Sequence, residues 1–228
     1  MWILLIIAII LIGLLIAKYG YNSLLNYYNK YTKYILRANL SASNVLSMII
    51  NAEKLGCFIA MRGKILDNAY SPKNKVVFLS EDVFNSKRVL AVAISLHELG
   101  HAIQHKKKSK LFKLYSICTA INKISSYLII PLVILLIIGL FVFGEVVNII
   151  LLTIILSFWL INFVSRICLI FVEKDASKKA IDLIRKYDLM DENEIKISKK
   201  LFKKALLTYV GGIFSNILKI LQGLKRAF

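Results

Sequence analysis

The segment VLAVAISLHELGHAIQH, residues 89–105, decides what this chain can be. Its apolar residues recur at helical spacing, and a run of lysines at 106–108 follows it, so we predict one long helix. The chain has 228 residues and three histidines, and all three fall on this helix: His97, His101 and His105.

Two of these histidines belong to the pattern His97-Glu98-Leu99-Gly100-His101. Histidines four residues apart lie one above the other on one face of a helix, so both imidazoles can reach a single ion. Zinc held by neutral imidazole nitrogens lowers the pKa of its water towards 7, and Glu98 can take the proton from that water and pass it on. The pattern predicts one zinc ion per chain, with Glu98 as general base. The alternative is a histidine pair satisfied within a protein core.

A catalytic zinc site needs a third protein ligand and an open position. His105 lies eight residues after His97, about 12 Å along the helix axis, so we expect it to be a solvated residue at the helix end. With no other histidine in the chain, the third ligand has to be a carboxylate. We expect Glu173, which begins the sequence EKDAS after a long apolar run. The alternative for Glu173 is an ordinary charged residue at a membrane boundary.

Two further residues of this sequence are candidates to support the site. On a helix, Ser177 shares the face of Glu173, whereas Asp175 points about 200° round the axis from it. We therefore expect Ser177 to contact a ligand and Asp175 to hold another group. Gly100 would give the ion and a substrate close access to the helix backbone.

The composition indicates a membrane protein. Apolar residues make up 58% of the chain, above the 45–50% usual for a soluble domain. The formal net charge of +18 suits contact with anionic lipid headgroups. It does not favour a nucleic-acid-binding function, because the basic residues lie beside apolar segments and not among exposed aromatics. Three isolated cysteines are expected to be free buried thiols: Cys57, Cys118 and Cys168.

Three apolar runs approach the length of a bilayer-spanning helix, at residues 2–17, 127–144 and 146–164. No Lys or Arg precedes the first run or separates the second from the third. The positive-inside rule therefore places the N-terminus outside and both basic regions in the cytoplasm. We predict an integral protein of the bacterial cytoplasmic membrane with three transmembrane helices.

The sequence between the first two spans predicts a small cytoplasmic domain. A Tyr-rich stretch, residues 19–34, suits a helix at the membrane interface. Ser41 or Ser43 can cap a helix that ends near Gly56. Residues 57–65 and 76–80 are predicted to form two strands, joined through a turn at 71–74. Asn85 or Ser86 can then cap the helix that carries the histidines. Residues 205–224 predict an amphipathic helix that packs on the domain or lies in the interface.

The predicted fold class is a mainly α membrane protein that carries a small α+β zincin-like cytoplasmic domain with a short β-hairpin. Its predicted divisions are an N-terminal anchor at 1–21, the cytoplasmic domain at 22–126, a transmembrane hairpin at 127–172, and a cytoplasmic helical region at 173–228.

At these residues the chain resembles a family of bacterial membrane proteins described as neutral zinc metallopeptidases. The resemblance rests on NAYSPKNKVVFLSEDVF at 68–84, HELGHAIQ at 97–104, VEKDASKKA at 172–180 and LTYVGG at 207–212. It implies peptidase chemistry of the gluzincin type, with zinc held by His97, His101 and Glu173 and with Glu98 as base.

One departure from the family's pattern affects the substrate side of the site. The family tends to carry an Asp-His pair before the tyrosine that corresponds to Tyr70, where this chain has Asn68 and Ala69. If that histidine stabilises the transition state, this chain lacks it. Asn68 and Tyr70 are therefore candidates for support of the site or for substrate binding.

Three functions follow, and the first is favoured. It is a membrane-tethered endopeptidase acting on a peptide or protein, in which strand 76–80 takes the substrate as an added strand. The second is an intramembrane protease with residues 89–104 in the bilayer. Basic residues on both sides limit this apolar segment to roughly 16 residues, which is shorter than a transmembrane helix requires. The third is a zinc-binding membrane adaptor with weak or no catalysis, to which the departure at Asn68 and Ala69 points.

Overall fold

The computed structural model describes residues 2–63 and 67–227, and for residues 2–14, 16–17 and 210–227 it describes the backbone alone. The chain divides into two compact units: Met1–Ser109 with Glu173–Phe228, and Lys110–Val172. Most of the described residues are helical.

The first unit contains most of the secondary structure and its only sheet among the described residues. Its helices are α1 (Trp2–Tyr31), α2 (Ala42–Ala52), α3 (Glu81–Phe84), α4 (Val89–Lys106), the end of α6 (Glu145–Lys186) from residue 173, and α7 (Glu192–Ala227). Its strands are β1 (Phe58–Arg62), β2 (Ala69–Ser71) and β3 (Val76–Ser80).

The sheet differs from the predicted hairpin. The strand order is β1-β3-β2, with β1 parallel to β3 and β2 antiparallel to it. The hairpin is formed by β2 and β3, because the turn between them lets the three residues of β2 fold straight back on β3. Strand β1, which lies within the predicted strand at 57–65, pairs with the other edge of β3, and residues 64 and 65 are outside the described residues. The expectation that 76–80 accepts a substrate strand is therefore wrong, since β1 occupies one edge of β3 along its whole length and β2 occupies residues 76–78 of the other edge.

Helix α4 is the central helix of this unit. It packs against α2, α3, α7 and two strands of the sheet, and Leu90, Leu96 and Leu99 are fully or almost fully buried. Val77 and Leu79 of β3 are fully buried in the same core. The apolar character of residues 89–104 thus reflects a position inside a protein core.

Two predicted helix ends shift in the structure. Ser41 Oγ does accept the N–H of Asn44 and caps α2, but the helix ends at Ala52 and Lys54 takes the left-handed conformation before Gly56. The predicted caps Asn85 and Ser86 follow the short helix α3. Helix α4 begins only at Val89, after Arg88 in an extended conformation.

Helix α1 joins the first apolar run to most of the Tyr-rich stretch in one helix. Tyr27 is buried and its hydroxyl donates to the Ile197 carbonyl at 3.1 Å, while the Tyr28 hydroxyl donates to Asp82 at 3.2 Å. These tyrosines belong to the domain, whereas the more N-terminal Tyr19 is exposed. The predicted tail helix is the C-terminal part of α7, which packs along α1.

The second unit contains α5 (Lys110–Val142) and residues 145–172 of α6. Both helices are long and apolar enough to cross a membrane, and they contain the predicted runs 127–144 and 146–164 except for the short break at residues 143–144. Large apolar side chains are exposed along them, with Phe141 87% exposed. The side chains of the first predicted span, residues 2–17, lie outside the described residues save Leu15.

Candidate metal centre

His97 and His101 on α4 face Glu173 on α6. One ligand atom from each of the three residues lies within 4.8 Å of the other two. The Glu173 carboxylate spans the pair, since Oε2 lies 3.0 Å from His97 Nε2 and Oε1 lies 3.6 Å from His101 Nε2. The side chains of His97 and His101 are each 13% exposed, and that of Glu173 is 9% exposed. Donor atoms of the type that zinc prefers therefore meet at a site that is largely shielded from solvent.

The close approach of two helix backbones brings these residues together. Gly100 and Ala176 are both buried and face each other where α4 meets α6. Glu173 lies one turn before Ala176, and the two histidines flank Gly100, so the helical repeat places all three ligand atoms beside this contact. Gly100 therefore serves the packing of α4 on α6, and the expectation that it opens the backbone to an ion or substrate is wrong.

The second nitrogen of each histidine is held from behind. His97 Nδ1 lies 3.2 Å from Ser177 Oγ, on the helix face that the sequence predicts for Ser177. His101 Nδ1 lies 3.0 Å from Gln104 Oε1, and Gln104 Nε2 donates to Asp175 Oδ2 at 2.8 Å. Partners of this kind fix the ring and direct Nε2 towards a ligand.

Gln104 is a site residue that sequence reasoning missed. The residue is 1% exposed, and its side chain connects His101 to Asp175. Asp175 was expected to hold another group, and in the structure that group is the Gln104 amide. A signal was present in the sequence, because Gln104 lies three residues after His101 and so on the same helical face. The pKa of Asp175 is lowered, since contacts with Lys179 and Gln104 outweigh the effect of burial.

The electrostatics of His101 and Glu173 are those of a buried ion pair. Burial by itself lowers the pKa of His101, but hydrogen bonding and charge from Glu173, with a further contribution from Glu98, raise it to about 9. Burial likewise raises the pKa of Glu173, but the two histidines lower it to about 2. Glu173 thus stays ionised and strongly attracts positive charge.

His105 does not join this cluster, as its distance along the helix predicts, but it is not a solvated helix end. Its Nδ1 lies 2.8 Å from the hydroxyl of Tyr70, which β2 holds beside the end of α4. His105 and Tyr70 are both half-buried. Tyr70 therefore contacts His105, and it does not line the cavity beside the metal cluster.

A cavity of about 370 Å³ adjoins the cluster. His97 and Glu98 line it on one side, together with Asn68, which precedes β2. The remaining walls come from α1, α4 and α7: Tyr21, Leu24, Leu25, Tyr28, Ile94, Leu201, Phe202, Ala205, Thr208 and Tyr209. Glu98 is thus placed where a molecule in the cavity would meet it beside His97.

The comparisons with known proteins agree with this geometry. The family model described as "Putative neutral zinc metallopeptidase" matches residues 2–227. The chain is 31% identical over 163 residues, 71% of this chain and 68% of the relative, to the "Putative membrane protease YugP" of Bacillus subtilis (strain 168). No solved structure gives a significant match. The chain belongs to the family that carries this description.

Proposed function

We propose that this protein is a membrane-anchored zinc metallopeptidase that hydrolyses peptide bonds, with one zinc ion held by His97, His101 and Glu173. The observation that carries the proposal is the convergence of two Nε2 atoms on the Glu173 carboxylate, while both Nδ1 atoms are engaged from behind. Two imidazoles and one carboxylate form a donor set used by catalytic zinc, which keeps a fourth position open.

The residues around this centre supply the rest of the chemistry. A zinc ion held by these three residues would supply Lewis-acid chemistry for the peptide carbonyl and for water. Glu98 lines the cavity beside His97 and acts as the general base, because its carboxylate can accept a proton from water and return it to the leaving amine. Ser177 and Gln104 keep the two rings in place, and α4 and α6 keep the carboxylate opposite them.

A membrane location is part of the proposal. The similar protein of Bacillus subtilis is named a membrane protease, and α5 and α6 are long and apolar enough to cross a bilayer. The distribution of Lys and Arg favours three spans, including residues 2–17, with the N-terminus outside and the metal centre on the cytoplasmic side. Its partners would be the lipid bilayer and a peptide or protein substrate.

Two other functions receive less support. An intramembrane protease would need α4 in the bilayer, whereas α4 packs against three helices and two strands of a mixed α/β unit. A zinc-binding adaptor would need only a closed structural site, whereas His97 and Glu98 open onto a cavity. The adaptor would keep its cellular function in Glu98→Gln and lose its fold in His97→Ala, while the peptidase would lose its function in both.

The decisive experiment uses the full chain in detergent. We expect about one zinc per chain by elemental analysis, and loss of the metal in His97→Ala, His101→Ala and Glu173→Ala. Glu98→Gln should retain zinc and lose cleavage of casein by at least 100-fold, since general-base catalysis contributes about 10²–10⁴-fold. The control is Glu81→Gln, at an exposed position on α3. A zinc-free protein, or casein cleavage unchanged in Glu98→Gln, would contradict the proposal.

A further inference from the structure

We propose that the cavity beside His97 and Glu98 binds a large apolar side chain of the peptide substrate, while the Asn68 amide holds the substrate backbone. This inference rests on the proposed peptidase function and adds the class of substrate to it. The protein would then prefer sites with leucine, methionine or phenylalanine next to the cleaved bond.

The lining of the cavity determines what it can bind. Six of the residues around it are apolar: Leu24, Leu25, Ile94, Leu201, Phe202 and Ala205. The polar ones are neutral, apart from His97 and the carboxylate of Glu98, and there is no Lys or Arg among the described side chains that line the cavity. An acidic side chain or an anionic headgroup would be repelled by Glu98, and burying its charge among the six apolar side chains would be costly, so an uncharged apolar group suits the cavity best.

The cavity is continuous with the candidate metal centre. Phe202 packs against His97, with the ring centroids 5.5 Å apart, and Glu98 lines the same space. A side chain in contact with Phe202 therefore brings its own backbone close to Glu98. A volume of about 370 Å³ falls at the lower end of the range for small-ligand pockets, so it holds one large side chain with the peptide units that flank it.

Asn68 lines this cavity, and its side-chain amide is held in a fixed orientation. Its Oδ1 accepts two hydrogen bonds from Ser80, one from the backbone N–H at 2.9 Å and one from Oγ at 3.1 Å. A backbone N–H can only donate, so Oδ1 must face Ser80 and the amide cannot be flipped. Among the described residues, no hydrogen bond involves Nδ2 of Asn68, and the inference assigns its two N–H groups to a peptide carbonyl of the substrate.

The first test compares two quenched fluorescent peptides that differ only in having Leu or Ser next to the cleaved bond. We expect kcat/KM to be at least tenfold higher for the Leu peptide. Ala205→Phe should fill the cavity and reduce this ratio to below about threefold, whereas Ala52→Phe, at an exposed position on α2, should leave it unchanged. A ratio that is the same in Ala205→Phe and in the unaltered protein would overturn the inference.

The second test separates the donor of Asn68 from its structural role. Asn68→Asp keeps an oxygen for Ser80 and removes the donor, whereas Asn68→Ala removes both. We expect KM to rise about tenfold in both variants, as for the loss of one hydrogen bond to substrate, with a lower Tm only in Asn68→Ala. A normal KM in Asn68→Asp would show that Asn68 is only structural.

Binding without turnover distinguishes a failure of this inference from a failure of the proposed function. In Glu98→Gln, fluorescence anisotropy should show the Leu peptide binding at least tenfold more tightly than the Ser peptide. Equal affinities for the Leu and Ser peptides would overturn the inference. This is the result expected if a lipid acyl chain, and not a substrate side chain, occupied the cavity. If the unaltered protein cleaves casein, the proposed function stands whatever the two peptides show.

Discussion

The backbones of Gly100 and Ala176 are in direct contact. A Cβ atom placed on Gly100 would lie 2.5 Å from the carbonyl oxygen of Ala176 and 3.1 Å from its Cα. Both partners are backbone atoms of helices, which cannot rotate away as a flexible side chain could. This contact sets the spacing of α4 and α6, and therefore the distance from Glu173 to the two histidines.

Gly100→Ala should consequently separate the helices. We expect an overpacking cost of about 1–3 kcal/mol in the free energy of unfolding. We also expect a zinc affinity at least tenfold weaker, measured by competition with a chelator. Gly63→Ala is the control, because nothing lies within 4 Å of a Cβ added there. Normal zinc affinity in Gly100→Ala would mean that the helix spacing does not govern the site.

Gln104→Leu should weaken zinc binding although Gln104 is not itself a ligand. The change keeps the approximate size of the side chain but removes the hydrogen bonds to His101 Nδ1 and Asp175. Loss of such supporting contacts typically costs about 10–100-fold in metal affinity. Ser126→Ala, at an exposed position on α5, serves as the control in the same titration. Unchanged affinity in Gln104→Leu would refute a supporting role for this residue.

The metal-free protein should become less stable as the pH rises from about 6.5 to 9. In the folded protein the pKa of His101 is raised from 6.5 to about 9. The pairing of protonated His101 with Glu173 therefore stabilises the folded state fully below pH 6.5, and this stabilisation is lost as the pH rises past about 9. The expected loss is on the order of 3 kcal/mol. Thermal unfolding of the metal-free protein measures it. His101→Gln should remove most of this dependence, and an unchanged dependence in that variant would rule out His101 as its source.

Zinc binding near pH 7.5 should release a proton from His101. The imidazole is protonated there in the metal-free protein because its pKa is about 9, and a zinc ligand must be deprotonated. Calorimetric titration of zinc in buffers with different ionisation enthalpies counts the protons. We expect the number to fall in His101→Gln, and an equal number in both proteins would argue against His101 as a ligand.

Tyr70→Phe should leave the metal centre intact. The hydroxyl of Tyr70 contacts His105, so its removal should cost about 0.5–1.5 kcal/mol of stability without changing zinc affinity. Tyr19→Phe, at an exposed position, is the stability control. A large loss of zinc binding in Tyr70→Phe would instead connect the tyrosine to the metal centre.

The sequence by itself determined the features that depend on helix geometry over one or two turns. The spacing of His97 and His101 places both on one face, His105 is too far along the axis to join them, and Ser177 shares the face of Glu173. These relations follow from the 3.6-residue repeat and need no knowledge of the rest of the fold. The apolar runs of α5 and α6 are evident in the same way, because hydropathy is a local property of the chain.

Only the tertiary structure decided which distant elements meet. The parallel pairing of β1 with β3 buries the strand that was expected to receive a substrate, and it depends on contacts across many residues. The connection from His101 through Gln104 to Asp175, and the pairing of His105 with Tyr70, join elements far apart in sequence. Periodicity states which face a residue occupies, and packing alone selects what lies opposite that face.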